Sequence, residues 1–559
     1  MKPRGLNAVP WRAVAAVACG LMLAAAFPPF SFAQAGWMAL VPIVVIARFS
    51  APRVAFRWGF LAGLVFWGLT LIWLRRLADY ETPWVAVGIA WLALAGYCAL
   101  YTGMFAAATA RLWTGVRRGE ERLGTASPSR GGQESFPGVR NVGRMVAMAL
   151  LWVGFEYVRS TFCTGFAWNA LGISQYRNLG LIQIAEWGGV YAVSALLVLV
   201  NAALAITAID FALPWISGER ARPRIHIELF VATVCVLLTL SYGQKRVRAL
   251  RADDARHPPV MLQCASVQGN VAQDDKWSEE LERALRDRLI DLTQRAAIAK
   301  PDLIIWPETS VPILLTASAS EPTFMNTLAS EIGVPLLVGA IEVDDARGAE
   351  RYFNSAFLYG GDGGLEEVYR KQHLVPFGEY IPLGNVIPAL ERFAPLGYSC
   401  VSGTTGTVFR LAASGVPFTT LICFEDTIAG LARRAVRNGV RLLINQTNDA
   451  WFKDTCAAVQ HMSHCVFRCV ENRVPAVRCA NFGVSCIIDR TGALDGATVE
   501  ALAGRDTHDT LFRVDPVSVP AAGKRSTFYT RFGDLPFALP AAVMALATLA
   551  QGWRRNCRL

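Results

Sequence analysis

At 559 residues the chain is too long for one ordinary core, so two or more domains are expected. Hydrophobic residues make up 53% and charged residues 18%, with a mean hydropathy of +0.33, where a soluble domain carries about a quarter charged. This excludes an ordinary soluble enzyme and points to a membrane protein. The net charge of +10 is mostly arginine placed between apolar runs, where topology signals belong, so a nucleic-acid partner is set aside.

From Trp11 to about Gly243 the chain is a series of apolar runs centred near Ala18, Val44, Leu64, Leu92, Leu150, Leu197 and Val234. Each reaches or approaches the roughly 20 residues a spanning helix needs, the second being short enough to be tilted or partly interfacial. An eighth run, "LPFALPAAVMALATLAQGW", closes the chain near Ala545. "AVAC" and "SFAQA" faintly resemble processing sites, but further apolar runs follow directly, so the first run reads as an uncleaved span. Arginines cluster before the first run, after the second, after the fourth (Arg111 to Arg144), after the sixth and at the C-terminus. The positive-inside rule then puts both termini in the cytoplasm and the block from about 244 to 530 outside it. Three regions follow: a membrane domain at 1–243, an extracytoplasmic domain at 244–530, and a final span with a cytoplasmic tail at 531–559.

Past Gly243 short β-branched runs alternate with amphipathic stretches. "VMLQCASVQ", "DLIIWP", "PLLVGAIE", "YFNSAFLYG", "EEVYRKQH", "PFTTLICFE", "RLLINQTND", "VPAVRCA" and "VSCIIDRTG" read as strands. Helices are expected over about 278–298, 323–332, 427–439 and 456–472. The alternation predicts an α/β domain of sheets covered by helices. The 13 cysteines, an odd number, show no CxxC spacing, and their pairing is not legible from one sequence.

Three strand ends carry polar groups: Glu308 after "LIIW", Lys371 and Glu379 in "VYRKQHLVPFGEYIP", and Cys423 in "LICFEDT". Catalytic groups gather at the carboxyl ends of strands in α/β folds. A carboxylate can take a thiol proton, an ammonium can stabilise an oxyanion, and the thiol can attack a carbonyl to give a thioester. Glu425 and Asp426, next to the thiol, would keep it protonated at rest, and Asp426 is placed to cap a helix opening at Thr427. Each residue also has a plainer reading: an inert buried Cys, a turn-capping Glu, or a Lys paired with Glu366 or Glu367. In "HMSHCVFRC", His461, His464, Cys465 and Cys469 have spacings a metal could use, but a core helix with polar edges fits better. A Cys423–His373 pairing lacks any protease signature. The apolar loop 374–398, starting beside the proposed cation, suits a bilayer interface.

"WPETSVP", "RKQHLVPFGEYIPL", "LICFEDT" and "NQTNDAWF" resemble, in order, the motifs of the nitrilase superfamily, whose Glu-Lys-Cys triad would be Glu308, Lys371 and Cys423. "AFPPF", "EYVRSTFCTGFAWNALGISQ", "GGVYAVSALLVLVN", "VQGNVAQDDKW" and the final run resemble the bacterial apolipoprotein N-acyltransferase family, a nitrilase domain fused to a multi-span membrane half. The resemblance covers about residues 10–553. It implies an αββα sandwich, a bacterial inner-membrane location with the catalytic domain in the periplasm, a monomer, and no metal or organic cofactor. It also implies a ping-pong reaction in which a phospholipid acylates Cys423 and the thioester passes the chain to the α-amine of a diacylated apolipoprotein. Glu308 would be the base, Lys371 the cation, Glu379 its orienting partner, and Phe424 and Glu425 the neighbours of the nucleophile. Trp277 and Trp451 would lie near substrate. Phe424 departs from a frequent Tyr, Ala167 from a common Pro and Phe482 from a polar residue. The alternative is a membrane-tethered amidase or nitrilase in which water resolves the thioester.

Overall fold

The computed structural model describes residues 9–80, 82–122, 137–217, 225–270, 279–310, 314–316, 323–345, 350–382, 398–495, 511–523 and 526–556. They form two compact units, 1–246 with 532–559, and 247–531.

The first unit is helical. Its elements are α1 (Val9–Ala25), α2 (Val41–Arg48), α3 (Pro52–Thr70), α4 (Trp84–Arg122), α5 (Pro137–Thr161), the short α6 (Leu179–Ile182), α7 (Ala185–Ser217) and α8 (Ile227–Arg256), whose residues from 247 on belong to the second unit, with a C-terminal helix Ala538–Asn556. A helix therefore lies at each of the eight apolar runs. Among the described residues four are long and apolar enough to cross a membrane: Trp84–Trp113, Gly138–Thr164, Ala185–Ala212 and Ile227–Arg256. Pro52–Thr70 with Ile72–Asp79, bent by 47°, makes a fifth if it is one span, and three shorter apolar helices complete the set. Phe230, Leu237 and Leu238 of α8 are exposed, as side chains facing lipid would be. Polar residues tie down the stretch after α5, which holds the 3-10 turns Phe162–Thr164 and Leu171–Gln175. Glu156 accepts from Leu171 N at 2.7 Å, and Arg159 donates to the carbonyls of Phe166 and Trp168.

The second unit is a pair of packed sheets. One contains β1 (Val260–Gln268), β2 (Leu303–Ile305), β3 (Leu314–Leu315), β4 (Leu336–Asp344), β5 (Arg351–Tyr359), β6 (Leu365–Arg370) and the last strand, Leu511–Val519. The other contains β7 (Phe409–Arg410), β8 (Pro417–Ile422), β9 (Leu442–Thr447), β10 (Ala476–Ala480), β11 (Cys486–Ile488) and β12 (Leu494–Asp495). Strands β1, β2 and β4 pair in parallel in the first sheet, as do β8, β9 and β10 in the second. Alternation along each strand builds two cores. Leu262, Leu303, Ile305 and Leu337 meet Phe418, Ile422, Ile444 and Val477 between the sheets. Ala265, Ile304 and Val338 face outward onto Leu289, Leu292 and Leu328 of helices Glu279–Ala297 and Phe324–Ile332. Helices Ala429–Arg437 and Ala457–Asn472 pack on the second sheet, giving four layers in the order helix, sheet, sheet, helix.

All nine strand readings and four helix readings fall on observed elements. The readings omit four strands: β3, β7 and β12, of two residues each, and the nine-residue Leu511–Val519. Pro516 sits in its middle and argues against a strand there, but it pairs antiparallel with β1 at the sheet edge, where proline is tolerated.

Candidate active site

Four strand ends meet at one place. After β2 the chain turns through Trp306 and Pro307 to Glu308, with Thr309 in the left-handed region at φ +43°. The turn sits directly on β4: a Cβ on Gly339 would lie 2.4 Å from the Pro307 carbonyl oxygen and 2.9 Å from Glu308 Cα. Lys371 follows β6, and its N–H still donates to Asn354 O at 2.8 Å. Cys423 follows β8 at φ +51°, a strained conformation for a side chain with a Cβ, and opens a single 3-10 turn, Cys423–Thr427. Asn448 and Asp449 follow β9.

The Lys371 ammonium is buried and lies 3.2 Å from Glu308 Oε1 and 2.8 Å from Glu379 Oε1. Asn354 Nδ2 donates to the same two oxygens, at 2.8 and 2.7 Å. The remaining oxygens accept backbone protons, Glu308 Oε2 from Asn448 N at 3.0 Å and Glu379 Oε2 from Val375 N at 2.8 Å. Burial pulls the Lys371 ammonium down, but the Glu308 and Glu379 carboxylates outweigh it and hold the group well above the usual lysine range. Asn354 reads in the sequence only as a strand residue. Its role appears once β5 is seen to pair with β6.

Cys423 is half-buried against the inter-sheet core. Burial pushes its thiol well up, Glu308 and Asp449 add to this, and Lys371 opposes it, so the resting side chain is a protonated thiol. Glu425 and Asp426, expected from their adjacency to do this, are not among its main causes. Glu425 turns into the backbone, where Oε2 accepts from Ile422 N and the Tyr369 hydroxyl, and Oε1 from Gln372 N and His373 N. It therefore ties the Cys423 turn to the segment that follows Lys371. Burial raises Glu425 to about 7, against the pull of these backbone donors. Asp426 caps no helix: it lies 3.1 Å from Arg478 Nη1 and 3.0 Å from His461 Nε2, and the next helix begins at Ala429.

Phe424 is half-buried, its ring 5.9 Å from that of His373 and nearly parallel to it. His373 stands beside the site without pairing with Cys423 among the described contacts. Trp451 is half-buried in the turn Asp449–Phe452, which Asn448 Oδ1 caps by accepting from Ala450 N. Trp277 lies outside the described residues, as does 383–397 of the apolar loop, whose Phe377 is 67% exposed.

Cys423, Asp449 and His461 bring potential ligand atoms within 4.8 Å of one another. The same cluster holds the Arg478 guanidinium 2.9 Å from Asp449, and both His461 nitrogens face carboxylates, so protein side chains already balance its negative charge. His464, Cys465 and Cys469 join no such group among the described residues. The described cysteines are free thiols. A thiol beside a carboxylate–ammonium pair fits covalent acyl chemistry.

Family models agree with this division. Residues 19–203 match the apolipoprotein N-acyltransferase N-terminal domain, and residues 263–506 match the carbon-nitrogen hydrolase family. An apolipoprotein N-acyltransferase of Geobacter metallireducens is 34% identical over 97% of this chain and 95% of its own length. One from Brucella suis is 30% identical, covering 87% of each chain. The solved carbon-nitrogen hydrolase of Helicobacter pylori is 16% identical with a TM-score of 0.32, over 46% of this chain and 90% of its own.

Proposed function

The chain belongs to the apolipoprotein N-acyltransferase family, and we propose that it acylates lipoproteins through a thioester on Cys423, with Glu308 as base and Lys371 as cation. The enzyme is an acyltransferase whose substrates are a lipid donor and a lipoprotein acceptor. The observation that carries the chemical reading is the buried Lys371 ammonium held between Glu308 and Glu379 at the strand ends beside the Cys423 turn.

In the first half-reaction Glu308 takes the Sγ proton as the thiolate attacks an ester carbonyl of a phospholipid. Negative charge develops on the carbonyl oxygen, where the Lys371 ammonium stabilises it. The ester C–O bond breaks, and Glu308 returns its proton to the departing lysophospholipid oxygen. In the second half, the α-amine of a diacylglyceryl-cysteine attacks the thioester and the C–S bond breaks. Its proton passes through Glu308 to Sγ, which restores the thiol. Glu379 and Asn354 orient Lys371 and Glu308, while Trp277, Phe424 and Trp451 line the approach of substrate.

The same reading makes all eight apolar helices membrane spans of the bacterial inner membrane, puts both termini in the cytoplasm, and makes 244–530 a periplasmic catalytic domain of a monomer. The arginine distribution supports it. The test is peptide mass spectrometry of the full-length protein after incubation with phospholipid and no acceptor. The expected result is a fatty-acyl mass on the Cys423 peptide that a diacylated lipopeptide discharges, becoming triacylated. An adduct removed only by water would favour a hydrolase, and an unmodified, alkylatable Cys423 would overturn the thioester.

A further inference from the structure

A second buried ionic group surrounds the Cys423 backbone, and the reaction above does not use it. The parallel register puts Leu421 of β8, Asn445 of β9 and Arg478 of β10 side by side. Val477 and Cys479 face the core between the sheets, so Arg478 points to the other face, under the helix Ala457–Asn472. All sixteen residues of that helix are buried, and it lowers His461 onto the row. Arg478 reaches Asp426 Oδ2 at 3.1 Å, Asp449 Oδ2 at 2.9 Å and the Asn445 side-chain oxygen.

His461 completes the group. Its Nδ1 lies 2.9 Å from Asp449 Oδ1, and its Nε2 lies 3.0 Å from Asp426 Oδ1 and 3.1 Å from the carbonyl oxygen of Cys423. Carbonyl and carboxylate oxygens only accept, so Nε2 carries a proton; Nδ1 stands between the Asp449 acceptor and the Arg478 Nη2 donor at 3.1 Å, and the two carboxylates favour the imidazolium. Asn445 Nδ2 gives the Cys423 carbonyl a second donor at 3.2 Å. Two carboxylates thus face two cations, with the nucleophile's own carbonyl as the additional acceptor.

We infer that His461 is a positioning residue: its Nε2–H, with Asn445, pins the Cys423 carbonyl and so holds the nucleophile in its left-handed turn. This rests on Cys423 being the acylated thiol. The trans peptide sets the Cys423 carbonyl and the Phe424 N–H antiparallel, so pinning one aims the other. Rotation of that peptide would re-aim the Phe424 N–H relative to Sγ, changing the polar surroundings of the attack. The charges facing His461 are Asp426 from the Cys423 turn, Asp449 from the turn after β9, and Arg478 from β10. Burial and Arg478 lower its proton affinity, but the two carboxylates outweigh them and raise it to about 9.

The test uses the full-length protein with phospholipid vesicles and no acceptor, reading acyl mass on Cys423 against time and the rate of Cys423 alkylation against pH. His461→Ala is expected to slow acyl-enzyme formation about tenfold to a hundredfold, with half-saturating phospholipid little changed. His461→Gln, which can still donate to the carbonyl, should recover most of that rate. Both variants lose one positive charge beside Cys423, so their alkylation profiles should move to higher pH, a shift that loosened packing alone would not give. Wild-type rate and wild-type profile in His461→Ala would overturn the inference. If that variant does not fold, Asn445→Ala decides: it leaves all four charges and removes one carbonyl donor, so slower acylation with an unshifted profile supports the inference and an unchanged rate overturns it. A wild-type protein that never forms the adduct would overturn the thioester itself.

Discussion

Two buried ionic groups meet at Cys423, and they differ in charge balance. Glu308, Glu379 and Lys371 carry two negative charges against one positive, whereas Asp426 and Asp449 face Arg478 and the His461 imidazolium, two against two. The first group has a surplus carboxylate, so it can take the thiol proton and give it up again. The second gains nothing by moving a proton and instead grips backbone. Burial costs both groups several kcal/mol of ion desolvation, which the pairing must offset. In the proposed reaction one set reacts and the other holds.

Removing a cation from each group should separate the two roles. Lys371→Met leaves Glu308 and Glu379 without their shared ion partner. We expect acyl-enzyme formation to fall about a hundred- to a thousandfold, and the catalytic unit to lose about 3–5 kcal/mol. Adduct mass against time and protease resistance in denaturant measure the two effects. Arg478→Met strands Asp426 and Asp449 on one imidazolium. It should cost a similar ~3 kcal/mol in the same unfolding assay, while the fraction that stays folded still forms some adduct.

A smaller effect is expected under Glu308. Gly339→Ala drives a methyl into the Pro307 carbonyl, which is backbone and cannot swing aside. Stability should drop about 1–3 kcal/mol, with slower acylation because the base is displaced. A further effect needs no substitution. The His461 value is raised from the ordinary 6.5 to about 9, so its contribution to stability is whole below about 6.5 and is lost as the pH rises through about 9. Melting temperature should fall across that window in the wild type and stay flatter in His461→Gln. Equal slopes in the two proteins would show that the imidazolium contributes nothing.

Much of the reacting group was legible because each member ends a locally recognisable strand. "DLIIWPE" and "TTLICFED" are apolar runs that give way to polar residues, and "EEVYRK" is a strand reading that ends at Lys371. The holding group was not legible. Arg478 alternates with Val477 and Cys479, so the pattern assigns it a solvent-facing position, and only the helix above makes it a buried ion. His461 read as a polar edge of a core helix, with a metal site as the lesser reading, because spacing along one helix is all a sequence displays. Its actual partners come from the ends of two different strands. Adjacency also misled: Glu425 is two residues from Cys423, yet its carboxylate serves the backbone of 372 and 373.

The sequence by itself determined the two-part organisation, the positions of the eight apolar helices, the strand and helix alternation, and the identity of Glu308, Lys371 and Cys423 as strand-end residues. Periodicity and composition are local properties, and they survive in any correct fold. Only the tertiary structure decided which charges balance which. Pairing β8 with β9 and β10 in register, and docking one helix on that sheet, sets distances between residues far apart in the chain. Electrostatic and hydrogen-bond energies depend on those distances and on burial, neither of which is written along the chain.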